Sequence, residues 1–459
     1  MMMNQRIIGV LSSTTTWSVV TGLVVIILIF DGVVTNLPSY DLQSRQSLAI
    51  RLFFAVEVLI CALSQVIYLR IIKRKYSINP TIGYFRRYAD ITYYIVSVTQ
   101  YLIIALLIVT VLEVEILSQY HTILVLILIL LSLSLSAGLS ALLAFRFLLW
   151  IKYKRDYLII AYTASAILIS VNSIFIALFM SLEMQGKPML IEPSFFYTNT
   201  EIIYYDIHQV QSNISFASFV SLWIASTLLL RRYRRKWGAV KFYLIISIPL
   251  VYYLGVLQVA LSNVLVHYNL LNMFQSYTFN VVNSILTKPV GGMLFGVAFW
   301  MVGRSVKDKN ISDYMKFSAF GIILLSVSNQ DSGLYLLPYP PFGLPTITFV
   351  GISSYMLFVG IYYSSISVSL NTEVRKSIDK SVEQEFEFVS KIGISQMEHE
   401  IESRVKEITK RSARTLEENS GVEVSLENED IKEYIKLVIK EKEKMFREKN
   451  HQNDGKSYR

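Results

Sequence analysis

Ten stretches of this 459-residue chain stay apolar for about 20 residues at a time, separated by short polar segments. They fall at roughly 13–35, 47–70, 90–112, 121–150, 157–182, 213–231, 241–266, 278–303, 314–334 and 347–370. About 20 apolar residues in helical form span the hydrocarbon core of a bilayer. A buried helix of a soluble domain rarely reaches this length, and ten in succession predict an all-α polytopic transmembrane bundle over residues 1–370. Arg6 precedes the first run and no small-x-small cleavage pattern follows it, so that run reads as a retained signal anchor.

The pattern changes at Asn371. Val374, Ile378, Val382, Phe386 and Val389, then Ile394, Met397, Ile401, Val405 and Ile408, recur at spacings of three and four residues. That spacing predicts an amphipathic helix, interrupted at Gly393. Asn419-Ser-Gly421 is a break. A last helix is expected from Asn428 as N-cap to about Glu448, with Glu429 and Asp430 early and Lys440, Lys442, Lys444 and Arg447 late, as the helix dipole favours. Residues 371–459 thus form a charged helical tail, and its apolar stripes need a partner: a second copy, the bundle itself or another protein.

Composition sharpens this division. Only 17 % of the chain is charged, against about a quarter in soluble domains. Residues 371–459 hold 18 Lys/Arg and 20 Asp/Glu, whereas 1–370 hold 25 and 14, so the chain's +9 combines +11 in the body with −2 in the tail. With the N-terminus inside and loops alternating, 21 of the body's 25 cations lie on one side, and only Arg45, Arg51 and Lys187 on the other. The positive-inside rule then places both termini in the cytoplasm of a plasma-membrane protein. The basic surplus is a topology signal and a contact for anionic lipid, not a nucleic-acid footprint.

Two ionisable groups stand deep in the apolar runs. Glu57 lies about ten residues into the second span, and Lys288 lies at similar depth in the eighth. Such groups usually face the bundle interior, and these two would neutralise each other if their helices adjoin. Asp31 and Asp331, nearer the outer ends, are alternative partners. In the eighth span Asn280, Ser284 and Lys288 recur every four residues and share a face. Pro289 followed by Gly291 and Gly292 predicts a bend or break, the device by which many transporters expose backbone to solute; glycines also let helices pack closely. Ser326, Ser328, Asn329, Gln330, Asp331 and Ser332 cluster at the end of the ninth span and would line an outward cavity with Gln258 and Asn263, or form a solvated helix end.

Outside the spans, the longest loop, 183–212, is acidic and aromatic. The four prolines of 333–345, GLYLLPYPPFGLP, forbid regular helix there and read as a collar at the outer interface. Cys61 is the single cysteine, so no disulfide forms within the chain. No Walker A, HExxH, GxSxG or DxDxDG string occurs, so no catalytic residue, metal or cofactor is expected. His121, His208 and His267 share the outer face with Glu113, Glu115, Glu201 and Asp206, but none stands in metal-ligand spacing. His399, in QMEHEIESRV, reads as a solvent-facing helix histidine.

The strings TKPVGGMLFGVAFW at 287–300, LPYPPFGLPTITFVGISSYMLFVGIYYSSISVS at 337–369 and IGISQMEHEI at 392–401 resemble uncharacterised multi-pass membrane proteins of ammonia-oxidising and related archaea. The resemblance covers roughly 280–450. It implies an archaeal plasma-membrane protein and carries no activity.

The sequence therefore points to a non-enzymatic sensor, receptor or scaffold that couples a helix bundle to a cytoplasmic tail, itself joined to a homo-oligomer or another protein. A secondary transporter with its site near the broken eighth helix is the alternative.

Overall fold

A computed structural model describes residues 14–36, 47–78, 83–185, 190–191, 202–255, 273–306, 308–329, 339–370 and 387–420. The described chain is almost wholly helical: α1 Thr14–Asn36, α2 Leu48–Ile78, α3 Gly83–Leu117, α4 Thr122–Tyr153, α5 Tyr157–Gln185, α6 Ile202–Leu230, α7 Arg234–Trp237, α8 Ala239–Tyr253, α9 Met273–Ser305, α10 Lys309–Ser328, α11 Leu344–Leu370 and α12 Glu387–Ser420. Two residue pairs, β1 (Tyr120–His121) and β2 (Leu190–Ile191), make a minimal antiparallel ladder.

Nine helices among the described residues are long and apolar enough to cross a bilayer: α1 to α6 and α9 to α11. The protein is an all-α polytopic membrane bundle. The stretch expected at 241–266 appears only as α8, 15 residues with Pro249 inside; at 1.5 Å per residue that is about 22 Å, short of a bilayer core. Residues 256–266 lie outside the described residues.

The layering follows from which helices bury all their faces. The whole span of α11 is buried, against 39 % for α1 and for α3. Around α11 pack α1, α2, α3, α4 and α10, while α5, α6, α8 and α9 build the other side. Peripheral helices turn aliphatic side chains outward, as Ile91, Ile95, Leu102 and Ile116 of α3 do. Such a surface suits lipid, not water.

Small residues seat the central helix. A Cβ at Gly321 of α10 would stand 2.6 Å from the Leu357 amide, and one at Gly360 of α11 would stand 2.6 Å from the Tyr314 carbonyl. Without a hydrophobic force between helices in lipid, close backbone approach and interhelical hydrogen bonds do the holding. The bonds form a buried seam along α11: Gln65 donates to Thr348 Oγ1 (2.6 Å), Gln100 to Gln65 Oε1 (2.8 Å) and to the Thr348 carbonyl (3.1 Å). Ser132 donates to the Ile347 carbonyl (2.6 Å), and Ser136 meets Ser354 (2.7 Å).

Chain direction gathers cations at one end. The C-terminal ends of α2, α4, α6, α9 and α11 and the N-terminal ends of α5 and α10 meet there, with Arg70, Arg74, Lys152, Arg231, Arg234, Arg304 and Lys309. The opposite end carries Arg51, which donates to Ser118 Oγ (3.0 Å). The proline-rich stretch differs from the surface collar read in the sequence. Its described part is buried: Tyr339 donates to the Val114 carbonyl (3.2 Å), and Phe342 packs edge-on against Phe54.

Candidate functional site

Three polar constellations interrupt the apolar bundle. The first surrounds Lys288. Its helix, α9, runs unbroken from Met273 to Ser305 through Pro289, so the break expected there is not observed. Gly291 faces the Phe219 ring of α6, and a Cβ on Gly292 would stand 2.5 Å from Ser326 Oγ of α10. The glycines are spent on helix packing, not on exposing backbone. Lys288 Nζ donates to the Asn329 carbonyl (2.9 Å), the C-cap of α10. A cation there satisfies an orphan carbonyl and opposes the negative end of the helix dipole.

Beside Lys288 lies a cavity of about 50 Å³ lined by polar residues from four helices: Asn172 of α5, Ser215 and Ser218 of α6, Lys288 of α9, and Ser326 with Asn329 at the end of α10. Its walls are Ile169, Phe219, Leu222, Phe295 and Leu325. Ser326 and Asn329 at the end of α10 line this cavity together with described residues of α5 and α6. Asn172, Ser215 and Ser218 escaped notice because one Asn or Ser in an apolar run is ordinary; only the helix arrangement brings them together. Asn280 and Ser284 fall within α9 on the face that carries Lys288, and their side chains lie outside the described residues, as do Gln258, Asn263, Gln330, Asp331 and Ser332.

The second constellation is acidic. Glu57 is 3 % exposed, and neither carboxyl oxygen has a hydrogen-bond partner among the described residues. It therefore does not pair with Lys288, and the adjoining of helices on which that pairing depended is not found. Its helix packs against α1, α3 and α11, whereas α9 is not among its main neighbours. The face of α2 that holds Glu57 continues through Cys61 to Gln65, and Asp31 of α1 is its electrostatic neighbour. Asp31 is fully buried but supplied with donors: the Gly343 amide (2.7 Å), the Thr346 amide (3.1 Å) and Thr346 Oγ1 (2.5 Å). A carboxylate from α1 therefore caps the N-terminus of α11, where unpaired amides and the positive dipole end favour an anion.

The third constellation is the seat of α12 at the basic end. This helix passes through Gly393 without interruption. A Cβ there would stand 2.5 Å from Val368 Cβ, so the glycine is a point of close approach to α11. Phe388, Val389 and Ile392 are buried, with Phe388 against Tyr162 of α5 and Phe299 of α9. Trp150 of α4 donates through Nε1 to Gln396 Oε1 (2.9 Å), and Tyr153 donates to Glu402 Oε2 (2.6 Å). Lys391 forms an ion pair with Asp156.

His399 is half-buried here, its Nδ1 3.2 Å from the Tyr153 hydroxyl, and not solvent-facing as its sequence surroundings implied. Burial, then the charge of Arg146, lower its pKa, with Lys152 and Lys406 adding to the effect and Glu402 opposing it. For Glu402 burial pulls upward. Hydrogen bonds from Lys406 and Tyr153, with the charges of Lys406 and Lys152, outweigh it and hold the carboxyl down to about 2.

Of the three histidines that the sequence topology assigns to the outer face, His121 is tied to Glu113 through both its amide (3.0 Å) and its Nδ1 (2.7 Å). No group of three His, Cys, Asp or Glu side chains suited to a metal occurs among the described residues. His267 and the side chain of His208 lie outside them.

Comparison with family models, with curated proteins and with solved structures finds no match for this chain. Function has to be argued from the three constellations.

Proposed function

We propose that the protein is a non-enzymatic sensor or scaffold of the plasma membrane, with both termini in the cytoplasm, which couples the state of its bundle to partners of residues 371–459. The carrying observation is the seat of α12: it rests on α11 and α4 and touches α5. The central helix thus contacts the Asp31 cap at one end and α12 at the other. A rearrangement that tilts or slides α11 reaches α12 without an intermediary, as coupling through packed, two-state elements requires.

The experiment is a perturbation at the far end. Asp31→Asn, roughly 35 Å along α11 from Val368 at 1.5 Å per residue, is expected to change hydrogen exchange over residues 388–400. Trp223→Phe, which removes the bond from Trp223 Nε1 to the Ile246 carbonyl on the other side of the bundle, controls for general loosening. Equal exchange in Asp31→Asn, Trp223→Phe and the parent would defeat the coupling reading.

A second reading, a secondary transporter, draws support from the Lys288 cavity. It predicts that Lys288→Ala abolishes the flux of some solute or ion in proteoliposomes. Unchanged flux of every solute carried by the parent would remove it.

A further inference from the structure

The turn that joins α6 to α8 is strongly basic. Residues 231–241, RRYRRKWGAVK, hold six cations, and no Asp or Glu occurs in the sequence between Asp206 and Asp308. Arg231, Arg234, Arg235 and Lys241 are exposed. None of these four has an ion pair among the described residues.

The fold fixes where this charge stands. Trp223 Nε1 of α6 donates to the Ile246 carbonyl of α8 (2.8 Å), and Phe219 stacks on Tyr253 with ring centroids 4.1 Å apart. The two helices therefore form a hairpin, and Gly238, at φ 83°, supplies the backbone angle that turns the chain back. Trp223 precedes the end of α6, and Ile246 follows the start of α8, by seven residues each, so the turn lies about 10 Å beyond their bond. On α8, Phe242, Ile246 and Pro249 are buried, whereas Val240, Leu244 and Ile248, each four residues from the next, are exposed. An apolar flank thus runs from the turn along the lipid side of the hairpin. The cations stand where acyl chains give way to headgroups. Tyr233 and Trp237, both partly buried in the turn, are of the types enriched at that level. The Arg234 guanidinium lies 5.2 Å from the ring centre of Tyr243, itself exposed on α8, and is held against the hairpin.

Residue type narrows the partner. A topology signal needs only positive charge, which lysine supplies as well as arginine. Four of the six cations here are arginines, whose planar forks bond phosphate oxygens in pairs. A nucleic acid or an acidic protein would match the charge but leave the apolar flank without a partner. A lipid matches both.

We propose that Arg231, Arg234, Arg235 and Lys241 form a binding site for the phosphate headgroups of anionic membrane lipids, whose acyl chains lie along Val240, Leu244 and Ile248. The site goes beyond both functional readings and holds under either.

The test uses the purified full-length protein in a neutral detergent. Dioleoyl phosphatidylglycerol or dioleoyl phosphatidylcholine is titrated into the micelles. The rise in the midpoint of thermal unfolding gives the apparent affinity, because a ligand of the folded state stabilises it by mass action. Phosphatidylglycerol should bind at least about tenfold more tightly, since each Lys or Arg near an anionic surface is worth roughly fivefold. Arg231→Gln with Arg234→Gln and Arg235→Gln should abolish that preference. Arg70→Gln with Lys73→Gln, exposed on α2, should keep it.

Replacing the same three arginines by lysine retains the charge that directs insertion, and decides the matter if the glutamine variant does not insert. The preference should then fall at least about fivefold, as for one hydrogen bond lost. Equal affinity for the two lipids, a preference undiminished in either triple variant, or one lost equally in the α2 pair would overturn the proposal. Inorganic phosphate or an oligonucleotide that matched the effect of phosphatidylglycerol would show that the turn serves a soluble anion, and would overturn it too.

Discussion

Gly393→Ala tests the seat of α12 at the atom where it is tightest. The new methyl carbon would stand 2.5 Å from Val368 Cβ and closer still to its Cγ1, whereas apolar carbons rest about 3.5–4.0 Å apart. Val368 is fully buried on α11 and has nowhere to turn, so α12 must move by about 1 Å. Overpacking of this kind costs about 1–3 kcal/mol. Losing the seat outright would cost more, since burying Phe388, Val389 and Ile392 is worth about 1.5–3 kcal/mol each. The helix should therefore shift and loosen while remaining attached.

The assay is amide hydrogen exchange over 388–400, where opening of the seat sets protection. A destabilisation of about 1–3 kcal/mol corresponds to exchange roughly 5- to 150-fold faster. The decisive variant is Gly393→Ala with Val368→Gly, which removes both crowding carbons. The Ser365 carbonyl, 3.4 Å away, then becomes the nearest atom and is an ordinary neighbour. Protection should return most of the way, less about 1 kcal/mol for glycine in the helix. Unchanged exchange in the single variant would mean that α12 does not sit on Val368. Failure of the double variant to recover would mean that the loss came from elsewhere.

Three more outcomes follow from particular groups. Glu57→Met should raise the thermal midpoint, because a buried polar group without a bond costs about 1–3 kcal/mol on mutational scales; a lower midpoint would show that Glu57 has an essential partner. Asp31→Ala should lower it, with about 2 kcal/mol or more lost as three donors at the start of α11 go unpaired, and Thr346→Val should cost less; equal losses would refute the cap. Protection over 388–400 should fall on acidification. The seated His399 holds its proton more weakly than a free histidine, so the seat weakens below about pH 6.5, and Glu402 adds to the loss between about pH 4.5 and 2. The His399→Gln variant should lose the upper of these two phases and keep the lower.

What could be read from the chain beforehand depended on whether a property was local. Spans are local, since 20 apolar residues must be helical in lipid whatever their neighbours, and nine runs became helices with only their ends displaced. The side of the cations is equally local, and Arg74, Lys152 and Arg304 meet at one end. The pairing of Glu57 with Lys288 was not local. Both depths along the chain were legible, but two residues at equal depth touch only if their helices adjoin, and no pattern within either helix states that.

Gly393 and the pair Gly291 and Gly292 illustrate the same limit in another form. A glycine in a helix signals either a weak point or a close approach, and the two are identical in sequence. Both sites turned out to be close approaches, against Val368 in one case and against Phe219 and Ser326 in the other. His399 was misread because Tyr153, its partner, lies 246 residues away.

The position of α11 gives these separate features a common logic. A helix wholly surrounded by protein is freed from the lipid's demand for apolar side chains, so it can carry Thr346, Thr348, Ser353, Ser354, Ser364, Ser365 and Ser369, all buried. Several return their hydroxyl to a carbonyl three or four residues back in their own helix, while Thr348 and Ser354 reach other helices. Hydroxyls met within their own helix or by a neighbour leave no orphaned donor in a dry interior. The two ends are fixed differently: an acidic cap on backbone amides at one, and a glycine contact with α12 at the other. A central helix seated by close glycine contacts along its length and anchored at both ends is suited to moving as one body with its anchors. Under the proposed coupling, the α12 seat, more than the polar cavity, is where a response of this bundle should first be sought.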